Sequence, residues 1–225
     1  MKSLLATTIF ITALACSVAS SSSTKDVDLR GLEPTPAKDA KPADPKGLQT
    51  AVFAGGCFWG VDAVFKHVKG VTDVKSGYSG GEAKTAQYET VSDGNTGHAE
   101  SVKVTFDPTK VTYVQLLTVF FSIAHDPTEL NRQGPDTGTQ YRSAIFYADE
   151  DQKKSALEYI DAINKSKAFA NPVVTEVVLL KEFYEAEGYH QNYLALHPTQ
   201  PYIVINDNPK VEALKKKFPD LYVEK

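Results

Sequence analysis

Cysteine is scarce in this chain of 225 residues, with only Cys16 and Cys57. Two cysteines exclude a disulfide-stapled scaffold and a cysteine-built zinc site, so any redox role rests on one thiol. An excess of positive charge is also missing. Lys and Arg number 24 against 28 Asp and Glu, for a net charge of -4, and no nucleic-acid partner is expected. Methionine occurs once, as Met1, and tryptophan once, as Trp59. No apolar run is long enough to span a bilayer as a stable helix; the run from Leu4 to Ala15 falls short. A composition 42% hydrophobic and 23% charged fits one globular domain with short appendages.

Lys2, the apolar run and the small residues Ala15, Ser17, Ala19 and Ser20 read as an export signal over residues 1–20. Two processing routes compete. Ala13-Leu14-Ala15-Cys16 before Ser17 resembles a bacterial lipoprotein signal, with Ala13 where leucine is usual, and would leave Cys16 as a lipidated N-terminus. Otherwise a signal peptidase cuts after Ala15 or Ala19. The expected location is exported: periplasmic or held at a membrane as a lipoprotein, with free secretion as the alternative. Residues 21–48 read as a disordered Ser/Pro/Lys-rich tether, because serines and Pro34, Pro36, Pro42 and Pro45 leave little to bury. Residues 49–225 are the expected catalytic domain.

The stretch that organises this domain is Gly55-Gly56-Cys57-Phe58-Trp59-Gly60. Thr50 to Ala54 reads as a strand, and Phe58, Val61, Val64, Phe65 and Val68 recur at helical spacing, so strand hands over to helix at Cys57. Two glycines permit a tight turn, and unpaired N–H groups at a helix start favour a thiolate. From position alone, Cys57 is either a reactive nucleophile or a buried structural cysteine.

Further along, Val71 to Ser76 reads as a second strand, Gly77 to Gly81 as a flexible loop, and Gln87 to Val91 as a short extended piece before a turn at Ser92-Asp93-Gly94-Asn95. His98 to Asp107 is a third strand, with Val102, Val104 and Phe106 on one face. Its period places Glu100, and His98 with it, on that apolar face. A carboxyl there has its charged form disfavoured and can act as a general acid. Thr112 and Gln115 form a capping box before a helix that buries Leu116, Leu117, Phe120, Phe121 and Ala124. The polar segment His125 to Arg142 is expected to be an ordered loop leading into a strand from Ser143 to Tyr147. A helix follows from Asp149 to Ser166, with Ala156, Leu157, Ile160 and Ile163 inward, and then a strand from Val173 to Leu180. Near the end, Asn208 caps a last helix that packs through Val211, Leu214 and Phe218. The order of elements predicts an α+β fold, a two-layer ferredoxin-like sandwich with a long, partly irregular C-terminal extension.

GGCFWG after a strand, then GYSGG, QYETVSDGNTGHAESVKVTFDP, HDPTELNRQGPDTGTQYRSAIFY and YHQNYL, in that order, together resemble the A-type peptide methionine sulfoxide reductases. The resemblance implies that Cys57 attacks a sulfoxide sulfur, that Glu100 protonates its oxygen, and that methionine leaves with Cys57 as a sulfenic acid. It further implies that Tyr88 and Tyr141 donate hydrogen bonds to the oxygen, that Asp136 supports the site, and that Phe58 and Trp59 form an apolar pocket for the S-methyl group. Selectivity for the S epimer comes with the family. No bound cofactor or metal is implied, and substrates are oxidised proteins or free methionine sulfoxide.

One departure matters. Many relatives carry further cysteines near the C-terminus that form an intramolecular disulfide, whereas residues 58–225 contain none. The expected reductant is therefore an external thiol: glutathione, a glutaredoxin or a thioredoxin-like protein. A monomer is expected. Once Met1 is removed with the signal, the chain also lacks its own oxidisable target. Two other readings use the same residues: a cysteine hydrolase or acyltransferase with His98, His190 or His197 as base, and an exported lipoprotein holding a metal at His98-x-Glu100 and His190 to His197.

Overall fold

The computed structural model describes residue 27, residues 29–32 and residues 47–225. The export signal, Cys16 and most of the tether lie outside the described residues. Sequence order is β1 (Gln49–Ala54), α1 (Phe58–Lys66), β2 (Val71–Ser79), α2 (Tyr88–Val91), β3 (Ala99–Phe106), α3 (Tyr113–Val119), β4 (Arg132–Gln133), β5 (Asp136–Thr137), β6 (Ala144–Tyr147), α4 (Glu150–Ser166), β7 (Glu176–Leu179), β8 (Phe183–Glu185), α5 (Tyr193–Leu196) and α6 (Asn208–Lys217). The architecture is mixed α/β. Six strands form one sheet in the order β7-β6-β1-β3-β2-β8, antiparallel except between β6 and β7, while β4 and β5 make a separate small hairpin.

Alternation along β1 builds two layers of core. Ala51 and Phe53 join the main cluster beneath the helices, and Val52 and Ala54 join a smaller cluster with Ala99, Ala144 and Phe146. On the helix side, Phe53 stacks on Phe65 of α1 at 5.1 Å and on Phe120, just after α3, at 4.9 Å between ring centroids. The predicted capping box at Thr112 and Gln115 is formed in both directions.

The structure corrects several expectations. Gly77, Tyr78 and Ser79 are strand, not loop, since β2 pairs with β3 on one side and β8 on the other. A Cβ at Gly77 would strike the Phe183 ring and the Tyr184 carbonyl, so this glycine answers to close packing rather than to a turn. Residues 88–91 are a helical turn, not extended, with the Tyr88 N–H held by the Glu187 carboxylate at 2.9 Å. Leu157 is 49% exposed, and Tyr159 takes the inward position beside Ala156 and Ile163. Asp207, not Asn208, precedes α6, because a π-helical turn from Ile203 to Asp207 already carries the chain into it. Part of the tether docks. Leu29 is 0% exposed in the main core, and Val27 and Leu32 pack against it, giving the apolar anchor that composition alone understated.

From Phe183 onward the chain adds β8 to the sheet edge and packs α5 and α6 against α1. It ends by pairing across the end of α1, through Lys69 N–H to the Leu221 carbonyl and Val223 N–H to the His67 carbonyl.

Candidate active site

The sheet register fixes the site. Phe53 of β1 pairs with Val102 of β3, so Glu100, two residues earlier on the same face of β3, falls where β1 has ended and α1 begins. The first turn of a helix has N–H groups without intrahelical partners, and here the Phe58 N–H donates to Glu100 Oε2 at 3.0 Å. Strand periodicity and strand-to-helix handover, read separately in the sequence, thus meet at one place.

The two glycines before Cys57 serve different needs. Gly56 adopts φ +85, and a Cβ there would come within 2.6 Å of Gln133 Cγ. Gly55 has a Cβ position 2.8 Å from the His125 ring, which is itself held by the Phe120 carbonyl and Ser143 Oγ. The segment from His125 to Arg142 therefore lies directly against the turn, as an ordered loop does. Arg142 fastens its far end, donating to the carbonyls of Gly97, His98 and Thr139 and to Glu176.

Cys57 is buried at the start of α1. Contrary to the expectation from position, the helix start does not give it a lowered pKa. Burial pushes the thiol well above its ordinary value, the carboxylates of Glu100 and Asp207 push the same way, and the Trp59 backbone N–H and Lys210 only partly oppose them. Magnitudes explain the order: a helix terminus contributes about 0.3–1 kcal/mol, whereas full burial moves a pKa by up to about 3–5 units, or roughly 4–7 kcal/mol. Glu100, only 4% exposed, is pushed by burial up to about 8, helped by Asp136 and opposed by the Phe58 N–H. At neutral pH the free enzyme thus holds a neutral acid beside a neutral thiol.

The phenols gather around this pair. Tyr88 and Tyr141 both have raised pKa values, from burial first and Glu100 second, so both stay protonated and able to donate. Asp136 accepts a hydrogen bond from the Tyr202 hydroxyl, and the Tyr202 ring meets Trp59 edge-on at 5.9 Å. Phe58 is buried in the core, while Trp59 is partly exposed, stacks on Tyr193 at 3.7 Å and donates its indole N–H to His190 Nδ1 at 3.1 Å.

The three histidines considered as bases or ligands have other partners. His98 is buried, accepting from the Gly81 N–H at Nδ1 and reaching the Glu82 carbonyl through Nε2. His190 sits among Phe58, Trp59 and Tyr88, held neutral by burial. His197 is exposed against Tyr193. Among the described residues, no group of three or more His, Cys, Asp or Glu is placed to hold a metal.

Four residues of the site went unread in the sequence: Tyr202, Glu187, Asp207 and Lys210. Glu187 carries Tyr88, accepting from its N–H and from the Tyr78 hydroxyl, both at 2.9 Å. Its nearness to YHQNYL was the one available signal. Asp207 and Lys210 look in sequence like an ordinary ion pair at a helix start, and only packing against α1 brings them to Cys57.

The peptide methionine sulfoxide reductase family model matches residues 49–222. A peptide methionine sulfoxide reductase MsrA 2 from Mesorhizobium japonicum is 60% identical over 179 residues, covering 80% of this chain and 92% of that protein. An MsrA from Nautilia profundicola is 54% identical, covering 75% of this chain and 95% of its own. Among solved structures, methionine sulfoxide reductase A of Corynebacterium diphtheriae superposes with a TM-score of 0.63 at 34% identity, covering 80% of this chain and 92% of that one. The reduced form of Mxr1 from Saccharomyces cerevisiae gives a TM-score of 0.63 at 33% identity, covering 72% and 92%. The chain belongs to the A-type peptide methionine sulfoxide reductases, enzymes that reduce methionine-S-sulfoxide to methionine through a cysteine thiolate and a sulfenic acid and so repair oxidised proteins.

Proposed function

We propose that Cys57 is the nucleophile of this reduction and Glu100 its acid. The observation that carries the reading is their convergence: a buried carboxyl with a pKa raised to about 8 and the one cysteine of the catalytic domain both lie at the first turn of α1. Cys57 Sγ attacks the sulfoxide sulfur and Glu100 gives its proton to the sulfoxide oxygen. The thiol proton passes to the Glu100 carboxylate, which the Phe58 N–H stabilises. The protonated oxygen then passes from the substrate sulfur to Sγ. Its bond to that sulfur and the Sγ–S bond made by the attack both break as the Sγ–O bond forms, so methionine leaves reduced by two electrons and Cys57–SH becomes Cys57–SOH. Tyr88 and Tyr141 donate to the oxygen as it gains charge, Asp136, bonded by the Tyr202 hydroxyl, supports the site, and Phe58 and Trp59 receive the S-methyl group.

Regeneration uses an external thiol. One thiol condenses with the sulfenic acid, releasing water and leaving a mixed disulfide; a second displaces Cys57 as thiolate. Glutathione, a glutaredoxin or a thioredoxin-like protein fits this chemistry, and the absence of cysteine from residues 58–225 supports it. We read the core strands β6-β1-β3-β2, with α1 and α3 as crossovers, as a ferredoxin-like sandwich extended by β7 and β8, a reading supported by their order and antiparallel pairing. Residues 1–20 are proposed to export the enzyme, with Cys16 either lipidated as an anchor or removed with the signal, on the strength of the signal-like sequence alone.

Trapping with dimedone after a single turnover without reductant is expected to label Cys57 once per chain. An intramolecular disulfide would overturn the external-thiol cycle.

A further inference from the structure

Asp207 and Lys210 lie at the start of α6, packed against the first turn of α1. Asp207 is 0% exposed, its Oδ1 accepts from Lys210 Nζ at 3.1 Å, and its Oδ2 makes no hydrogen bond to the protein. Gly60, three residues after Cys57, has its missing side chain replaced by this pair: a Cβ there would strike Asp207 Oδ1 and lie 2.7 Å from Lys210 Nζ. Lys210 is nearly covered, with 19% of its side chain exposed. A buried ion pair of this kind is weak evidence for stability, because desolvation offsets most of the attraction. Its position against the reactive turn calls for another explanation.

We propose that Lys210, held in place by Asp207, is a positioning cation for Cys57, favouring its anionic sulfur both as attacking group and as leaving group when an external thiol displaces it. The inference rests on Cys57 being the catalytic thiol. Around that sulfur, β3 contributes Glu100, α2 Tyr88, the turn after β5 Tyr141, and the approach to α6 Tyr202 and Asp207, while Asp136 of β5 acts on Glu100. These are acids or phenols, each made unfavourable to a neighbouring anion. Among the described residues acting on the sulfur, Lys210 is the cation that opposes them, with a smaller effect than its partner Asp207. A thiolate leaves a mixed disulfide faster when it is more stable. In an enzyme without a second active-site cysteine, every turnover must pass through that departure.

The test is the pH dependence of iodoacetamide alkylation at Cys57 in the intact enzyme, paired with dithiothreitol release of a preformed Cys57 mixed disulfide. Lys210→Met is expected to slow alkylation at neutral pH about tenfold, moving the midpoint up by about one unit, and to slow release similarly. Asp207→Asn, leaving the cation uncompensated, is expected to move the midpoint down, and Lys210→Arg to restore the wild-type curve. Coincident midpoints, or shifts of the same sign in Lys210→Met and Asp207→Asn, would overturn the proposal. If Asp207→Asn does not fold, the Met and Arg variants at Lys210 decide it, since failure of Arg to rescue indicates packing rather than charge. Alkylation reads Cys57 without any sulfoxide, so this outcome is separable from failure of the catalytic assignment.

Discussion

Cys57→Ser, which removes the proposed nucleophile, is expected to cost at least about 10⁴-fold in reduction of the S epimer, on the scale of deleting a nucleophile. The reason lies in the oxygen balance. Sulfur accepts the sulfoxide oxygen and becomes a sulfenic acid, which a thiol can reduce; a serine hydroxyl would have to form an oxygen–oxygen bond to do the same. Serine nearly matches cysteine in size, and Cys57 donates no cap to α1, so the fold should persist. Circular dichroism and the melting temperature check that the variant is folded, and a coupled assay with excess dithiothreitol gives the rate. Activity in the folded variant above a hundredth of wild type would place the nucleophile elsewhere.

Glu100→Gln is expected to lower kcat by about 10²–10⁴-fold, the usual contribution of a positioned acid. Glutamine keeps an oxygen for the Phe58 N–H but has no proton to give at useful acidity. The pH profile carries more information than the loss itself. As the proposed acid, Glu100 acts in its protonated form, so activity should fall as pH rises through about 8, and the variant should lack that limb. Stability moves with it. Because the folded pKa of about 8 exceeds the ordinary 4.5, burial of Glu100 is tolerated fully below 4.5, and stability is lost as pH rises through 8. At pH 7 the cost is about 3 kcal/mol, so Glu100→Gln should melt higher than wild type there and no higher near pH 4. Equal pH dependence of wild type and variant would contradict the assignment.

What could be read from the sequence followed from local periodicity. Alternation along β3 placed Glu100 among Val102, Val104 and Phe106, and all four are buried. The handover at Cys57 and the Thr112 cap were equally local and equally visible. Where long-range packing decided the outcome, local rules misled. Gly77 looked like loop because glycine usually marks one, but here it admits β8. The thiol was expected to ionise because a helix begins beside it, yet burial, and after it the carboxylates of Glu100 and Asp207, 43 and 150 residues away, outweigh the helix. Tyr202, Asp207 and Lys210 had no local mark, since their roles arise only when the C-terminal segment folds back over α1. Leu29 shows the same limit at the other end: one apolar residue in a polar stretch is enough to dock when the core offers a site.

The proposed chemistry has Cys57 taking oxygen from the S epimer alone. Its most direct test supplies one equivalent each of separated R and S methionine sulfoxide to the fully reduced enzyme without reductant, then measures methionine formed and the mass of the peptide carrying Cys57. One methionine per chain is expected from the S epimer, none from the R epimer, and one oxygen gained at Cys57. Methionine from the R epimer, or from the S epimer with Cys57 unmodified, would contradict it.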